Sequence, residues 1–138
     1  MAEPHPFRRA IESKDLELLR DTLREDVVLH SPVLFRAFEG RETVVAVISQ
    51  VLEVPEGLRY TDELAEGGMV GTGGTVALRF KARVGELELE GIDFLELDAD
   101  GRVAELTVFM RPFSALTAFN ERMKERLEAA RRQPSSPL

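Results

Sequence analysis

Two runs in the second half of the chain keep a two-residue period too strictly for a helix. In TVALRFKARV, Val76, Leu78, Phe80, Ala82 and Val84 alternate with Thr75, Ala77, Arg79, Lys81 and Arg83, the pattern of a half-buried strand. In LELEGIDFLELD, Leu87, Leu89, Gly91, Asp93, Leu95 and Leu97 share one side, opposite Glu88, Glu90, Ile92, Phe94 and Glu96. Asp93 therefore stands on the apolar side. An unpaired charge there costs several kcal/mol, a large part of the roughly 5–15 kcal/mol that holds a domain folded. The carboxylate must be hydrogen-bonded, be neutralised, or face a cavity. Two readings stay open: a structural carboxylate held by a backbone N–H or an Arg, or a polar group serving a pocket.

The neighbouring segments complete a pattern. Gly85 separates the two runs, DADG (98–101) reads as a tight turn, and RVAELTVFM supplies a further strand, so an antiparallel meander is expected. Upstream, PFRRAIESKDLELLRDTL carries Phe7, Ala10, Ile11, Leu16, Leu19 and Leu23 near helical spacing. Ser13 to Asp15 divide it into two short helices, and Pro6 suits a first turn. VVLHSPVLF reads as a strand with an edge or bend at Pro32. RETVVAVISQVLE (41–53) predicts a helix stopped by PEG (55–57), and LRYTDELAEGG another strand. From Pro112 onward, Phe113, Leu116, Phe119, Met123 and Leu127 recur at helical spacing before a frayed QPSSPL. The expectation is one α+β domain over residues 1–131 with a flexible tail at 132–138. A strongly bent antiparallel or mixed sheet wraps around N-terminal helices and encloses a pocket.

Composition narrows the function. The chain has 138 residues, 43% hydrophobic and 31% charged, which is enough for one core and ordinary for a globular domain. A net charge of −7 disfavours nucleic acid as a partner. The chain has no Cys, no apolar run of membrane length and no apolar signal core in MAEPHPFRRAIESKD, so a cytoplasmic, non-membrane protein is expected. With His5 and His30 as the two histidines, a metal site is not anticipated.

Several tempting motifs carry little. His30 and Ser31 are adjacent in a strand and point to opposite faces, so they do not form a nucleophile–base pair. EGGMVGTGG (66–74) lacks the Lys-Ser/Thr of a phosphate loop and reads as a hairpin connection. Arg122, Lys124, Arg126, Arg131 and Arg132 interleave with Glu121, Glu125 and Glu128 as on a solvated helix face.

Three fragments together carry a resemblance: DLELLRDTLREDVVLHSP, EGRETVVAVI and GIDFLELDADGRVAEL. In their order and spacing the chain resembles the SnoaL-like branch of the nuclear-transport-factor-two-like superfamily, over roughly residues 6 to 120. That resemblance implies a cone-shaped, cystatin-like α+β fold around an apolar cavity. Ketosteroid isomerases share the superfamily. Their neutral carboxyl donor, which precedes a turn and a Gly-Arg-Ile-type strand, corresponds to Asp93, a carboxylic acid kept neutral by an apolar site. Their general-base Asp before a Pro corresponds to Ser31 before Pro32, and their oxyanion-hole Tyr to Phe7. Ser cannot take a proton from carbon near neutral pH as a carboxylate can, and Phe donates no hydrogen bond, so steroid isomerisation is not expected. Limonene-epoxide hydrolases use an Asp–Arg–Asp arrangement, and VAELTVFMR has no Asp to supply it.

The resemblance implies a pocket for a small apolar or amphipathic molecule, without a cofactor. Asp93 is the candidate acid or hydrogen-bond donor, and Phe7, Ser31, Tyr60, His30, Phe80, Val108 and Met110 are candidate lining residues. Cofactor-free isomerisation, cyclisation, hydration or hydrolysis would be the family's chemistry. The alternative is a non-catalytic binding or dimerisation module. Ile92 and Phe94 on the outer face of their strand, with Ala77 beside them, suggest a homodimer interface under either reading. A well-formed cavity reached by Asp93 favours the first reading. A cavity filled by Phe7, Phe80 and Met110 favours the second.

Overall fold

In the computed structural model, which describes residues 4–67 and 73–138, both alternating runs are strands. The element order is α1 (Pro6–Ser13), α2 (Leu16–Thr22), β1 (Leu23–His30), β2 (Phe38–Glu39), α3 (Arg41–Val51), β3 (Glu56–Gly67), β4 (Gly74–Val84), β5 (Leu87–Leu97), β6 (Val103–Arg111) and α4 (Phe113–Arg131). The strands form one curved, open sheet in the order β2-β1-β6-β5-β4-β3. β3 to β6 are an antiparallel meander, and β1 joins it parallel to β6. This is the α+β architecture expected.

Local chemistry sets the element ends. The side chain of His5 accepts from the Phe7 N–H at 3.1 Å, and its Nε2 donates to the Gly101 carbonyl at 2.9 Å, so both ring nitrogens tie down the start of α1. His5 is thus an N-cap that pins the chain to the β5–β6 turn. Lys14 in the left-handed region and Asp15, which accepts from the Leu18 N–H at 3.0 Å, divide α1 from α2 where the sequence placed the break. In the DADG turn, Asp98 accepts from the N–H groups of Asp100 and Arg102, with Gly101 at positive φ.

The boundaries of β1 differ from expectation. Leu23 to Asp26 lie in the strand, since α2 stops at Thr22, and the strand ends at His30. Ser31 Oγ accepts from the N–H groups of Leu34 (2.9 Å) and Val33 (3.3 Å) and so curls the chain into a turn at Pro32. This turn leaves Val33, Leu34 and Phe35 exposed. The two-residue β2 was not foreseen from sequence.

The concave face carries the core. Val76, Leu78, Phe80, Ala82 and Val84 of β4 and Leu89 and Leu95 of β5 are buried, each fully buried large side chain contributing about 1.5–3 kcal/mol. They pack under α1 to α3, and the C-terminal α4 also closes the concave side with Ala115, Phe119 and Met123. The N-terminal helices expected on this face are thus joined by the C-terminal one. The reason is that α4 follows the last strand of the meander and folds back over β4 to β6. Beyond α4 the chain turns at Gln133 and Ser136, and Leu138 is half-buried against the core. Residues 68–72 of EGGMVGTGG lie outside the described residues, while Gly67 pairs with Gly74 on either side.

The convex face is ordered in charge. Toward one end stand Arg59, Lys81, Arg83 and Arg111 with Glu56, Glu88 and Glu90. Leu64, Ala77, Ile92, Phe94 and Phe109 form an apolar belt in the middle, with Ile92 38% and Phe109 56% exposed. At the far end stand Glu39, Glu66, Glu96 and Glu105. Among the described residues, no helix is long and apolar enough to cross a membrane, and no group of three or more His, Asp or Glu is placed to hold a metal ion.

Candidate functional site

Under the helices the concave face leaves a cavity of about 110 Å³. Its floor is the sheet: Tyr60 from β3, Phe80 from β4, Leu89 and Asp93 from β5, and Leu106, Val108 and Met110 from β6. Its walls are Phe7 and Ile11 of α1, Val47, Ile48 and Val51 of α3, and Phe119, Asn120, Met123 and Leu127 of α4. The exposed Val33 and Leu34, just after Ser31, lie at the mouth.

Asp93 sits in the floor, 9% exposed, with its Cα between those of Leu78 and Val108 on the neighbouring strands. The Tyr60 hydroxyl donates to Asp93 Oδ2 at 2.6 Å across the intervening strand. Among the described residues, that is the carboxyl's one hydrogen bond. No fully enclosed side-chain oxygen lacks a partner, so Oδ1 opens onto the cavity. No Lys, Arg or His belongs to the lining.

Two features let Tyr60 reach Asp93. A bulge between Tyr60 and Asp62 shifts the β3 register against β4, and bulges re-aim side chains. Gly91 leaves the space that the Phe80 ring fills, since a Cβ there would stand 2.5 Å from Phe80 Cζ. Phe80 in turn meets Tyr60 edge-on, with ring centroids 6.3 Å apart. Behind the phenol, the Arg8 guanidinium lies 6.0 Å from the Tyr60 ring centroid and pairs with Glu12 and Glu63 outside the cavity.

Electrostatics follow from this burial. Loss of water pushes the Asp93 carboxyl up to about 6, and the Tyr60 hydrogen bond offsets part of the rise. Burial and then the adjacent Asp93 hold the Tyr60 phenol well above its ordinary range. The pair thus presents a carboxyl able to exchange a proton near neutral pH and a phenol that stays protonated.

The structure brings Phe7, Ser31, Tyr60, Phe80, Val108, Met110 and Asp93 to one cavity and leaves His30 out. Leu29 is the inward residue of β1, so His30 points to the convex face, where Nε2 lies 3.3 Å from Glu105. Ser31 reaches the rim with its hydroxyl engaged in the turn. Sequence reasoning missed Asn120 and the bond between Tyr60 and Asp93. Asn120 is half-buried and lies four residues after Leu116 and three before Met123, on the apolar stripe of α4, a signal the helical period could have supplied. Arg126, expected on the solvated face, is half-buried and donates to Gln50 Oε1 at 3.0 Å.

Comparison with known proteins agrees with this fold. Residues 6–106 match the family model described as a SnoaL-like domain. Among solved structures, a steroid delta-isomerase from Pseudomonas aeruginosa is 37% identical, with a TM-score of 0.81 over 89% of this chain and 87% of that one. An uncharacterised bacterial protein with a cystatin-like fold from Silicibacter pomeroyi is 29% identical, with a TM-score of 0.83 over 92% and 86%. A de novo designed protein with a curved β-sheet shares the fold at 14% identity and a TM-score of 0.65, over 91% and 99% of the two chains. The curated proteins give no match.

Proposed function

The chain belongs to the SnoaL-like domain family, and on that premise we propose that it binds a small, mostly apolar molecule through one polar group held by Asp93. The observation that carries this reading is the free Oδ1 of a buried carboxyl opening into an apolar cavity. Buried polar groups are ordinarily satisfied, and a cavity lined by apolar side chains takes apolar guests. Its volume suits a molecule of about one ring, since an apolar cavity of roughly 150 Å³ accepts benzene. Phe7, Phe80 and Met110 border the space without filling it, which favours a ligand site over a solid packing module. Proton exchange at Asp93 gives the site the means for cofactor-free acid–base chemistry on what it binds.

Titration of the isotope-labelled protein with ring-sized apolar compounds bearing a hydroxyl, carbonyl or amine tests the reading by NMR. Shifts confined to Tyr60, Phe80, Asp93, Met110 and Phe119 support it. A spectrum unmoved by every such compound overturns it.

A homodimer through the convex face is the accompanying proposal. The apolar belt lies between an end of mixed charge that carries Arg59, Lys81, Arg83 and Arg111 and an acidic end, so a two-fold axis crossing the strands near residue 93 sets those cations over the acidic end of the second copy. Glu96 faces Glu105 in register, and burial followed by that neighbour pushes the Glu96 carboxyl up.

A further inference from the structure

At the Tyr60–Asp93 pair the cavity offers lone pairs and no hydrogen, while Asn120 on the α4 wall carries an amide. Tyr60 spends its hydroxyl proton on Asp93 Oδ2, and an ionised carboxylate only accepts. A ligand seated there must bring the donors. The lining supplies no cation to answer the carboxylate, while Phe7, Tyr60, Phe80 and Phe119 surround the space with rings.

We infer that the ligand is a small, mostly apolar primary amine, bound as its ammonium ion with an N–H donated to Asp93 Oδ1. This rests on the reading of the cavity as a ligand site and names the chemical class it takes.

Three arguments select the amine over an alcohol or a ketone of the same shape. An ammonium ion carries three donors against one for a hydroxyl and none for a carbonyl. The fold has already removed water from the Asp93 carboxyl, so an incoming cation gains attraction in a low-dielectric site without desolvating that group again. The chain's net charge of −7 also raises cation concentration around it. A ketone instead needs the protonated carboxyl, the minor form at neutral pH because Asp93 titrates at about 6. That requirement weakens its binding by about tenfold at pH 7.

Benzylamine, benzyl alcohol and acetophenone share one ring and differ in the polar group, so they serve as probes in calorimetric and NMR titrations of the intact chain. At about pH 7.5, benzylamine is expected to bind about tenfold or more tightly than benzyl alcohol, a charged hydrogen bond being the stronger. Its affinity should fall about tenfold toward pH 5 as Asp93 takes up a proton. In Asp93→Asn the amine's advantage over benzyl alcohol should vanish. If that variant does not fold, the pH arm on the wild-type chain decides alone. Equal or tighter binding of benzyl alcohol or of acetophenone at about pH 7.5 overturns the amine and leaves the cavity a ligand site. Failure of all three probes to move cavity resonances removes the site and the amine together.

Discussion

Tyr60 and Asp93 stand 33 residues apart in sequence and 2.6 Å apart in the fold, joined over the intervening strand β4 by a phenol that donates to a buried carboxyl. The bond leaves Asp93 partly satisfied. It lowers the carboxyl's proton affinity without cancelling the effect of burial.

The first prediction concerns stability against pH. Asp93 titrates at about 3.8 when unfolded and at about 6 when folded, so the folded state holds the proton more tightly. Above pH 6 the ionised, buried carboxyl opposes folding in full, by an amount on the order of 3 kcal/mol. As pH falls from 6 toward 4 the folded state takes up the proton first and that opposition is relieved. Asp93→Asn keeps the shape and removes the charge. Its denaturation midpoint should equal or exceed that of the wild type at pH 8, and the gap should narrow by about half at pH 5. A large loss in the variant, greatest at pH 8, would make Asp93 a structural pin instead.

Removing the phenol's hydroxyl should act in the opposite sense. Tyr60→Phe leaves Asp93 without a protein partner, so its carboxyl should titrate higher than in the wild type. Stability at pH 8 should drop by about 1–3 kcal/mol, the cost of an unmet buried polar group. Carbon-13 NMR of the Asp93 carboxyl reads the first effect and urea denaturation the second. An unchanged titration would mean that the phenol does not act on Asp93 in solution.

Gly91 makes a separate test of the floor. Its missing side chain admits the Phe80 ring, and a Cβ would also run into the Phe109 carbonyl. Gly91→Ala should therefore destabilise by about 1–3 kcal/mol or more. Adding Phe80→Leu should recover only part, because the backbone carbonyl cannot withdraw as a ring can. Full recovery in the double variant, measured by thermal denaturation, would place the whole conflict at the ring.

Replacing Ile92 and Phe94 by Glu puts two like charges beside Glu90 and Glu96 in the convex belt. Sedimentation should report dimers for the wild type and monomers for the variant. Dimers that persist at the same strength would exclude this face as the interface.

Despite its likeness to a steroid delta-isomerase, the chain should not turn over an unsaturated ketosteroid above background. Ser31 spends its hydroxyl on backbone N–H groups of its turn, Phe7 has no proton to donate, and the cavity of about 110 Å³ suits one ring. Turnover at an enzyme-like rate in a spectrophotometric assay would mean that another carboxylate serves as base.

Period and local chemistry made much of this protein legible before any coordinates. Alternation alone put Asp93 on the buried side of β5, Ile92 and Phe94 on the other, and the Asp-Gly turn after them, because a strand's side-chain direction is fixed by its own backbone. The division of α1 from α2 was legible for the same reason. What the sequence left open depended on residues far apart along the chain. Nothing local pairs Tyr60 with Asp93, sets β1 parallel to β6, folds α4 over the concave face, or leaves the space into which Oδ1 opens. Nor could the sequence choose between a pinned carboxylate and one facing a pocket, since both need the same residue on the same face. The tertiary structure decided which neighbours reached it, because burial and hydrogen bonding belong to the assembled sheet and helices rather than to any one segment.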